Sequence, residues 1–278
     1  MPASPTQIAS RANPRVKQLR AAFAGRAKLS GGLVAIEGEH LLYEAMRSGM
    51  VFKTIFLSER RSAPDWAPRN VELIELTEDV FASAMDTQSP QGIAALLVPP
   101  VWTIDDALPA NGSLLLIAAG LQDPGNLGTL IRSAEAFGAA AVLTTTGTVN
   151  EWNQKALRAS AGSVFRIPVV QVDAHDLAAL QSQGLRILAA VAPASDSQGA
   201  IDESSPMAAS DADLTGPCAL MIGNEGSGLS DEWLQLADAR ITIPTPGRVE
   251  SLNAAVAGSL LLYEAARQRA ASQPITDN

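Results

Sequence analysis

The apolar run Ser113-Leu-Leu-Leu-Ile-Ala118 is followed closely by Asp123-Pro-Gly-Asn-Leu-Gly-Thr-Leu-Ile-Arg132. An unbroken apolar run of this kind is typical of a buried parallel strand. Pro124-Gly125 then makes a turn, and Asn126 stands where a helix N-cap is favoured. The helix that follows has an apolar stripe, formed by Leu127, Leu130, Ile131, Ala134 and Phe137. The stretch therefore predicts a strand, a loop and a helix of an α/β fold.

Two later segments have the same setting, since each follows a strand-like run. Gly223-Asn-Glu-Gly-Ser-Gly228 comes directly after the apolar Pro217–Ile222, and its glycines permit a close approach of the backbone to a ligand. Ile243-Pro-Thr-Pro-Gly-Arg-Val-Glu-Ser-Leu-Asn253 ends a short strand, because its prolines cannot continue one. Ser251 is expected to start a long helix through Arg267. Because the carboxyl ends of parallel strands meet at one edge of a sheet, the three segments predict a shared ligand crevice.

Composition limits the class of protein. A chain of 278 residues that is 47% hydrophobic and 18% charged can bury a large core, and its length favours two domains. The longest nearly apolar stretches, Leu114–Leu121 and Ala254–Leu262, are too short or too rich in small residues to span a bilayer. The single Cys218 excludes an internal disulfide, and the distant His40 and His175 give no zinc spacing. We therefore expect a metal-free protein of the reducing cytosol, without a membrane segment.

The charge is unevenly distributed along the chain. The net charge is −9, which taken alone argues against binding to nucleic acid. The first 30 residues nevertheless contain no acid and six bases, namely Arg11, Arg15, Lys17, Arg20, Arg26 and Lys28. This segment is either a solvated basic helix or a contact surface for phosphates, and charge alone leaves both readings open.

The pattern of elements divides the chain into two α/β domains. Residues 1–98 alternate short strands and helices. The predicted strands are Leu33–Glu37, Lys53–Leu57, Val71–Leu76 and Ile93–Val98, and the predicted helices are Gly38–Ser48 and Glu78–Ala84. Residues 99–112 are predicted to be a linker because of Pro99-Pro100, Asp105-Asp106 and Asn111-Gly112. Residues 113–272 contain five strand-like runs, three of them unbroken and apolar as in a parallel sheet. Within this half, the stretch 192–215 is rich in Ala, Ser and Asp and is predicted to be an exposed loop.

The three segments resemble the motifs of the SpoU, or TrmH-like, class of SPOUT RNA methyltransferases. In that class they read approximately N-x-G-x-x-x-R, G-N-E-x-x-G-L and I-P-M-x-G-x-x-x-S-L-N, matching 126–132, 223–229 and 243–253 here. One position departs from the pattern, since Thr245 stands where the family usually has Met. In the N-terminal half, Ile36-Glu-Gly-Glu-His-Leu-Leu and Pro90-Gln-Gly-Ile93 resemble the L30e-like substrate-binding domain of many ribosomal-RNA ribose methylases.

The resemblance implies a trefoil-knotted, parallel-sheet methyltransferase domain that binds S-adenosylmethionine and works as a homodimer on RNA, preceded by a smaller L30e-like α/β domain. It implies a catalytic set of Asn126, Arg132, Glu225, Ser251 and Asn253. It also implies a cofactor set of Leu220, Ile222, Gly223, Asn224, Gly226, Ile243, Pro244, Gly247, Ser251, Leu252 and Asn253. We assign RNA contacts to Arg11, Arg15, Lys17, Arg20 and Arg132. The small residues Ala254, Ala255, Ala257 and Gly258 of the last helix permit close helix packing, in the core or across the homodimer.

The residue types in the motifs bear on the chemistry. Methyl transfer from a sulfonium to a ribose 2′-hydroxyl needs an in-line approach, so orientation can supply much of the acceleration. No His, Lys, Tyr or Cys stands in a motif as an ordinary general base, and a guanidinium stays protonated. Arg132 is therefore expected to bind phosphate and polarise the nucleophile, while Glu225 is expected to fix a loop or an arginine.

Two other classes of function stay open at this point. An oxidoreductase with a Rossmann-type NAD site would need a G-x-G-x-x-G between strand and helix, which the chain lacks. A catalytically silent RNA-binding or ribosome-assembly protein could keep the same fold, but the intact Asn126, Arg132, Ser251 and Asn253 argue against lost activity.

Overall fold

A computed structural model describes residues 5–108, 113–193 and 206–272 of the chain. Its contacts divide the chain into two compact units: Met1–Val101 with Trp152–Arg166, and Trp102–Glu151 with Ile167–Asn278. This division differs from the predicted domains, because residues 152–166 group with the N-terminal unit. No helix among the described residues is long and apolar enough to cross a membrane.

The first unit is built around a five-stranded mixed sheet in the order β1-β4-β3-β5-β2. Its strands are β1 Thr6–Ile8, β2 Val34–Glu37, β3 Val51–Ser58, β4 Glu72–Leu76 and β5 Ile93–Val98. Its first four helices are α1 Pro14–Phe23, α2 Ala27–Ser30, α3 Glu39–Arg47 and α4 Glu78–Ala84. The predicted strands and helices of this unit are confirmed within two residues at each end, whereas β1 was not predicted.

Helices cover both faces of this first sheet. Val16 and Leu19 of α1 and Phe81 of α4 form one core cluster with alternate strand residues such as Phe56 and Ile74. The strand residues between them point to the other face, where α3 packs against β2 and β5. The basic helix α1 and the helix α3 therefore lie on opposite faces of the sheet.

The second unit contains a seven-stranded, all-parallel sheet in the order β10-β12-β9-β11-β6-β7-β8. Its strands are β6 Leu114–Ala118, β7 Ala141–Thr144, β8 Val169–Gln171, β9 Arg186–Ala190, β10 Met207–Ala208, β11 Cys218–Ile222 and β12 Ala239–Thr242. Its helices are α5 Ile104–Ala107, α6 Pro124–Ala136, α8 Ala174–Ser182, α9 Asp231–Leu236 and α10 Ala254–Ser272. Between β7 and β8 the chain forms the helix α7 Gln154–Ser160 and a 3₁₀ turn, Ser163–Phe165. Both belong to the first unit. The predicted α/β architecture with a parallel sheet is confirmed.

The parallel sheet places the motif loops at one edge. The strands β6 and β11 are neighbours in its centre, and every residue of both is buried. The chain order reverses between them, since β7 and β8 extend the sheet on one side and β9, β12 and β10 on the other. The loops that leave the carboxyl ends of β6, β9, β11 and β12 therefore border a crevice of the kind in which open α/β sheets bind ligands.

Several local predictions were wrong. Asn126 does not cap α6; Asp123 is the cap residue, and its side chain accepts a hydrogen bond from the Asn126 backbone. Ser251 does not start α10, which begins at Ala254. Instead, the Asn253 side chain accepts hydrogen bonds from the backbone N–H groups of Ala255 and Val256.

Two stretches predicted to be irregular contain regular structure. Asp105 and Asp106 of the predicted linker lie in α5, whereas Asn111 and Gly112 lie outside the described residues. In the predicted exposed loop, residues 194–205 lie outside the described residues, but β10 pairs with β12 and Leu214 is fully buried. A single apolar residue among Ala, Ser and Asp forms no periodic pattern, so the burial of Leu214 could not be predicted from the sequence.

Candidate active site

The loops after β6 and β11 are bonded side by side at the centre of the crevice. The backbone N–H of Ala119 donates to the Ile222 carbonyl over 2.8 Å. The Asn224 side-chain amide donates to the Gly120 carbonyl over 2.9 Å. These bonds hold the first motif loop against the second, although the two are about 100 residues apart in the chain.

The glycine-rich loop folds back on itself. The backbones of Asn224 and Gly228 exchange two hydrogen bonds of 3.0 Å each, and Asn224 Oδ1 also accepts from Gly226 N at 2.9 Å. This closure brings Gly223 so near to Gly228 that a Cβ at position 223 would overlap the Gly228 backbone. A Cβ at Gly226 would meet only the Asn224 side chain, at 3.6 Å. Gly223 is therefore the position where the loop approaches its own backbone most closely.

A hydrogen-bonded chain joins one residue from each motif. Asn126 Nδ2 donates to Glu225 Oε1 over 2.9 Å, and Asn253 Nδ2 donates to Asn126 Oδ1 over 3.1 Å. Glu225 also accepts from the backbone N–H groups of Gln122 and Asp123, at 3.4 and 3.2 Å. Since Asn253 caps α10, the chain of bonds runs from the glycine-rich loop through α6 to the start of α10. Three predicted catalytic residues are thus placed in one cluster.

The surroundings of Glu225 favour its ionised form. Partial burial raises the pKa of this carboxyl, but the hydrogen bonds from the Asn126 side chain and from the backbones of Asp123 and Gln122 outweigh it. The net effect is a pKa below the ordinary value of 4.5. A carboxylate of low basicity whose oxygens already accept three N–H groups is a poor proton acceptor and a good anchor for a loop.

A cavity of about 340 Å³ opens beside the glycine-rich loop. The strand ends Ile222 and Ile241 and the helix residue Leu261 give it an apolar wall. Among the residues that the structure describes, Glu225 is the only acidic or basic one that lines it. The predicted cofactor residues that line it are Ile222, Gly223, Asn224, Gly226, Ile243, Ser251 and Leu252. Four others, Leu220, Pro244, Gly247 and Asn253, do not line it; Leu220 is fully buried within β11.

Part of the cavity wall was missed by sequence reasoning. The residues that follow β9, Val191, Ala192 and Pro193, line the cavity although no motif contains them. Asp123 was also missed, and it holds the first turn of α6 through its cap. Thr245, at the position where the SpoU motif usually has Met, lines the same cavity. Val191, Ala192 and Pro193 are small, apolar and outside any motif, so their own sequence gives no signal. Only the position of β9 next to β11 in the sheet could have indicated that they line the cavity.

A second depression, of about 530 Å³, lies between α6 and α10. Asn126 and Asn253 form one end of it, and Val256, Leu260 and Tyr263 form an exposed apolar side. The Phe137 and Tyr263 rings meet edge to face at 5.8 Å. Arg132 borders neither cavity; it is exposed on α6, and it makes no hydrogen bond or ion pair with any residue that the structure describes. Its guanidinium is therefore available to a ligand.

The basic residues of the N-terminal segment differ in their availability. Arg15 forms an ion pair with Glu72 at 3.0 Å, and Arg20 donates to the backbone and side chain of Ser83. Arg11 and Lys17 are exposed and form no ion pair within the described residues. Of the five predicted RNA contacts, four lie in this segment, and two of those four are already bonded inside the first unit.

One group of side chains in the described part of the chain has metal-ligand spacing, and it lies outside the crevice. Asp173, His175 and Asp176 bring their ligand atoms within 4.8 Å of one another at the start of α8. Asp173 and Asp176 form the capping box of that helix, each accepting a hydrogen bond from the other's backbone. These carboxylates therefore have a structural role, and the expectation of a metal-free protein stays a prediction.

Comparisons with known protein families give consistent matches over both units. A model of the SpoU rRNA Methylase family matches residues 113–263. A model of the MRM3-like substrate binding domain matches residues 13–95. Together the two cover most of the described chain.

Individual relatives match over nearly their whole length. The chain is 34% identical over 258 residues to the 23S rRNA (guanosine(2553)-2'-O)-methyltransferase RlmP of Bacillus subtilis, covering 92% of this chain and 98% of that protein. It is 30% identical over 282 residues to the 23S rRNA (uridine(2479)-2'-O)-methyltransferase of Streptomyces viridochromogenes, covering 97% and 95%. Among solved structures, the SpoU methyltransferase AviRb from Streptomyces viridochromogenes in complex with AdoMet superposes with a TM-score of 0.81 at 28% identity, covering 94% of this chain and 100% of that chain.

Proposed function

Because this chain belongs to the SpoU rRNA methylase family, we propose that it transfers a methyl group from S-adenosylmethionine to a ribose 2′-hydroxyl of ribosomal RNA. The observation that carries the proposal is the convergence of all three motifs on one crevice, where Asn126, Glu225 and Asn253 are bonded in series. The relatives named above are 23S rRNA 2′-O-methyltransferases, and one superposed structure holds AdoMet. These matches favour the methyltransferase over an NAD-dependent oxidoreductase and over a silent RNA-binding protein.

We propose that the 340 Å³ cavity holds the cofactor. Its apolar wall suits an adenine ring, and the closely approached backbone of the glycine-rich loop offers hydrogen-bonding groups at its rim. Bound S-adenosylmethionine would supply an electrophilic methyl group. The cofactor would be enclosed by Gly223, Ile243, Ser251 and Leu252. Leu220 would not contact the cofactor but would stabilise β11 from the core. The trefoil knot of the family would thread the loops around Gly223 and Ile243.

The residues of the crevice favour catalysis by orientation. Glu225 is the only titratable group in the described part of the cavity wall, and its lowered pKa makes it a weak base. Asn126 is held at both ends of its amide, so it can present its remaining N–H and lone pair in a fixed direction. We assign Arg132 to an RNA phosphate next to the reacting ribose, where a guanidinium can bind an oxyanion through two N–H groups. Ser251 and Asn253 are assigned to the ribose and the cofactor carboxylate.

We propose a homodimer formed through α6 and α10. Val256, Leu260 and Tyr263 lie three to four residues apart on α10 and are 48%, 44% and 53% exposed. With Phe137 they form an apolar surface that a second copy would remove from water. RNA contacts in the first unit are assigned to Arg11 and Lys17, while Arg15 and Arg20 would first have to leave Glu72 and Ser83. A cytosolic location, in which ribosomal RNA is accessible, fits this function and stays a prediction.

The function is tested with ribosomal RNA isolated from cells that lack the protein. Purified protein and S-adenosylmethionine labelled in the methyl group should transfer label to this RNA, and the modified linkage should resist alkaline cleavage. Calorimetry should detect binding of S-adenosylmethionine and none of NAD. Label on a base would contradict the assigned reaction. RNA binding without transfer would instead support the silent alternative.

A further inference from the structure

The outward side of α3 in the first unit has an unusual composition for a solvated helix. Leu41, Leu42 and Ala45 are buried against the sheet. The opposite side presents His40, Tyr43 and Arg47, which are three and four residues apart and all exposed. Side chains at this spacing lie above one another on one helix face.

Two aromatic rings and a guanidinium meet on this side. The Tyr43 ring contacts Trp66 edge to face, with centroids 5.7 Å apart and an interplanar angle of 64°. The Arg47 guanidinium carbon lies 6.0 Å from the Tyr43 centroid. Tyr43 is nevertheless 40% exposed, so a large part of a positioned aromatic ring remains open to solvent. We call His40, Tyr43, Arg47 and Trp66 the α3 platform.

Both carboxylates of α3 itself are already paired. Glu39 forms an ion pair with Arg61. Glu44 is bonded to Arg166 at 2.7 Å, whereas its distance to Arg47 is 3.9 Å. The Arg47 side chain is 64% exposed. The platform thus combines an exposed cation with stacking surface, while the charges of both neighbouring acids are compensated.

We propose that the α3 platform binds an unpaired nucleotide of the substrate RNA, with its base stacked on Tyr43 and a phosphate near Arg47. Aromatic rings interleaved with arginine are the means by which proteins bind unstacked RNA bases. The proposal rests on the proposed function for the identity of the ligand. It differs from the assignment of RNA contacts to Arg11 and Lys17, because α1 lies on the opposite face of the sheet and one nucleotide cannot contact both.

Three variants test the α3 platform with ribosomal RNA from cells that lack the protein. Tyr43→Ala should raise the KM for RNA about tenfold or more, the order expected for loss of one base stack. Tyr43→Phe keeps the ring and should change the KM by less than about twofold. Arg47→Gln should reduce the slope of log affinity against log salt by about 0.7, as for one lost phosphate contact to a single strand. All three should keep the wild-type kcat at saturating RNA and the wild-type affinity for S-adenosylmethionine.

Photocrosslinking locates the RNA without using a variant or the reaction. RNA containing 4-thiouridine should crosslink to the wild-type peptide Glu39–Arg47. Crosslinks confined to α1, or a Tyr43→Ala protein with an unchanged KM, would overturn the α3 platform and leave the methyltransferase function standing. A wild-type protein that crosslinks at α3 but transfers no methyl group would uphold the platform and contradict the proposed reaction.

Discussion

Gly223 and Gly226 lie in the same loop, but only Gly223 lacks room for a side chain. A Cβ at position 223 would lie 2.6 Å from the Leu229 nitrogen, and backbone atoms cannot rotate away as a flexible side chain can. We expect Gly223→Ala to weaken binding of S-adenosylmethionine at least tenfold, since overpacking of this kind typically costs about 1–3 kcal/mol. Gly226→Ala is the matched control and should bind within about threefold of wild type. Equal affinities of the two variants by calorimetry would contradict the assignment of the close approach to Gly223.

Arg132 is exposed and makes no bond to any side chain in the described ranges, so removing it should leave the fold intact. Arg132→Ala should lower the methylation rate about 100-fold or more and leave cofactor affinity within a few-fold, as for a group that acts mainly in the transition state. Glu232→Ala, at an exposed position of α9 away from the motifs, is the control. If single-turnover kinetics gave an Arg132→Ala rate equal to wild type, the role assigned to this guanidinium would be wrong.

Glu225 links pH to the stability of the motif cluster. Its folded-state pKa lies below 4.5, so its hydrogen bonds stabilise the protein above that pH, and this contribution is lost as the pH falls through the folded-state pKa. Glu225→Gln places an amide nitrogen against N–H donors and should cost on the order of 1 kcal/mol of unfolding free energy at pH 7. Urea unfolding should show this difference from wild type shrinking below pH 4.5, and Glu232→Gln, at an exposed position of α9, should show none. A difference that stays constant as the pH falls would exclude the carboxylate as its source.

At the scale of elements, α6 and α10 are packed so closely that a side chain at position 258 would have to displace Leu130. A Cβ there would overlap Leu130 Cδ2 and lie 3.2 Å from Ile222 Cγ1. The hydroxyls of Ser133 and Ser259 join the same two helices at 2.7 Å. Gly258→Ala should lower the free energy of unfolding by about 1–3 kcal/mol. In a Leu130→Ala background it should cost less, because the side chain that it meets is gone; strict additivity of the two changes would contradict this packing.

Most elements could be predicted because their patterns are local. β11 and β6 are unbroken apolar runs, and α4 and β5 were predicted with the bounds that the structure has. β1 and β10 are strands of three and two residues at sheet edges, and they owe their conformation to the strands that they pair with. The caps of α6 and α10 were misassigned for a related reason. Asn126, Ser251 and Asp123 are all good cap residues, and only the position where the chain turns into the helix selects among them.

At the scale of the whole molecule, the apolar side of α10 predicts the oligomeric state. Leu260→Asp would place a charge in the proposed interface and should convert a dimer to a monomer of 29.0 kDa in light scattering at micromolar concentration. A control variant on α10 itself, such as Gln268→Asp, is unsuitable, because the Gln268 side chain forms hydrogen bonds with the backbones of Leu214 and Ala212. Glu232→Asp on α9 is suitable and should stay dimeric. A wild-type protein that is monomeric and fully active would contradict the proposed dimer.

The two units are connected by more than one crossing of the chain. Residues 152–166 follow β7 and precede β8, but they belong to the first unit, where Gln154 Nε2 donates to the Ala35 carbonyl over 2.8 Å. Arg166 pairs there with Glu44, and Gly162 fits against the same side chain. A deletion of residues 1–98 would remove these partners and expose α7, which lies outside the deleted segment. Point variants in each unit therefore separate RNA binding from cofactor binding better than a truncation does.

The sequence by itself determined the α/β class, the parallel sheet and the family, because these depend on apolar runs and on motif residues whose spacing is fixed along the chain. Through the family resemblance it also placed Asn126, Glu225 and Asn253 in one predicted catalytic set with Arg132 and Ser251. Only the tertiary structure decided that these three side chains bond to one another, that Gly223 rather than Gly226 lacks room for a Cβ, and that Val191 to Pro193 line the cavity. It also decided that Arg15 and Arg20 bond within their own unit while the α3 platform stays open. The physical reason is that hydrogen bonds and close contacts depend on which loops the sheet order brings together, and the order β9-β11-β6 is a property of the folded chain.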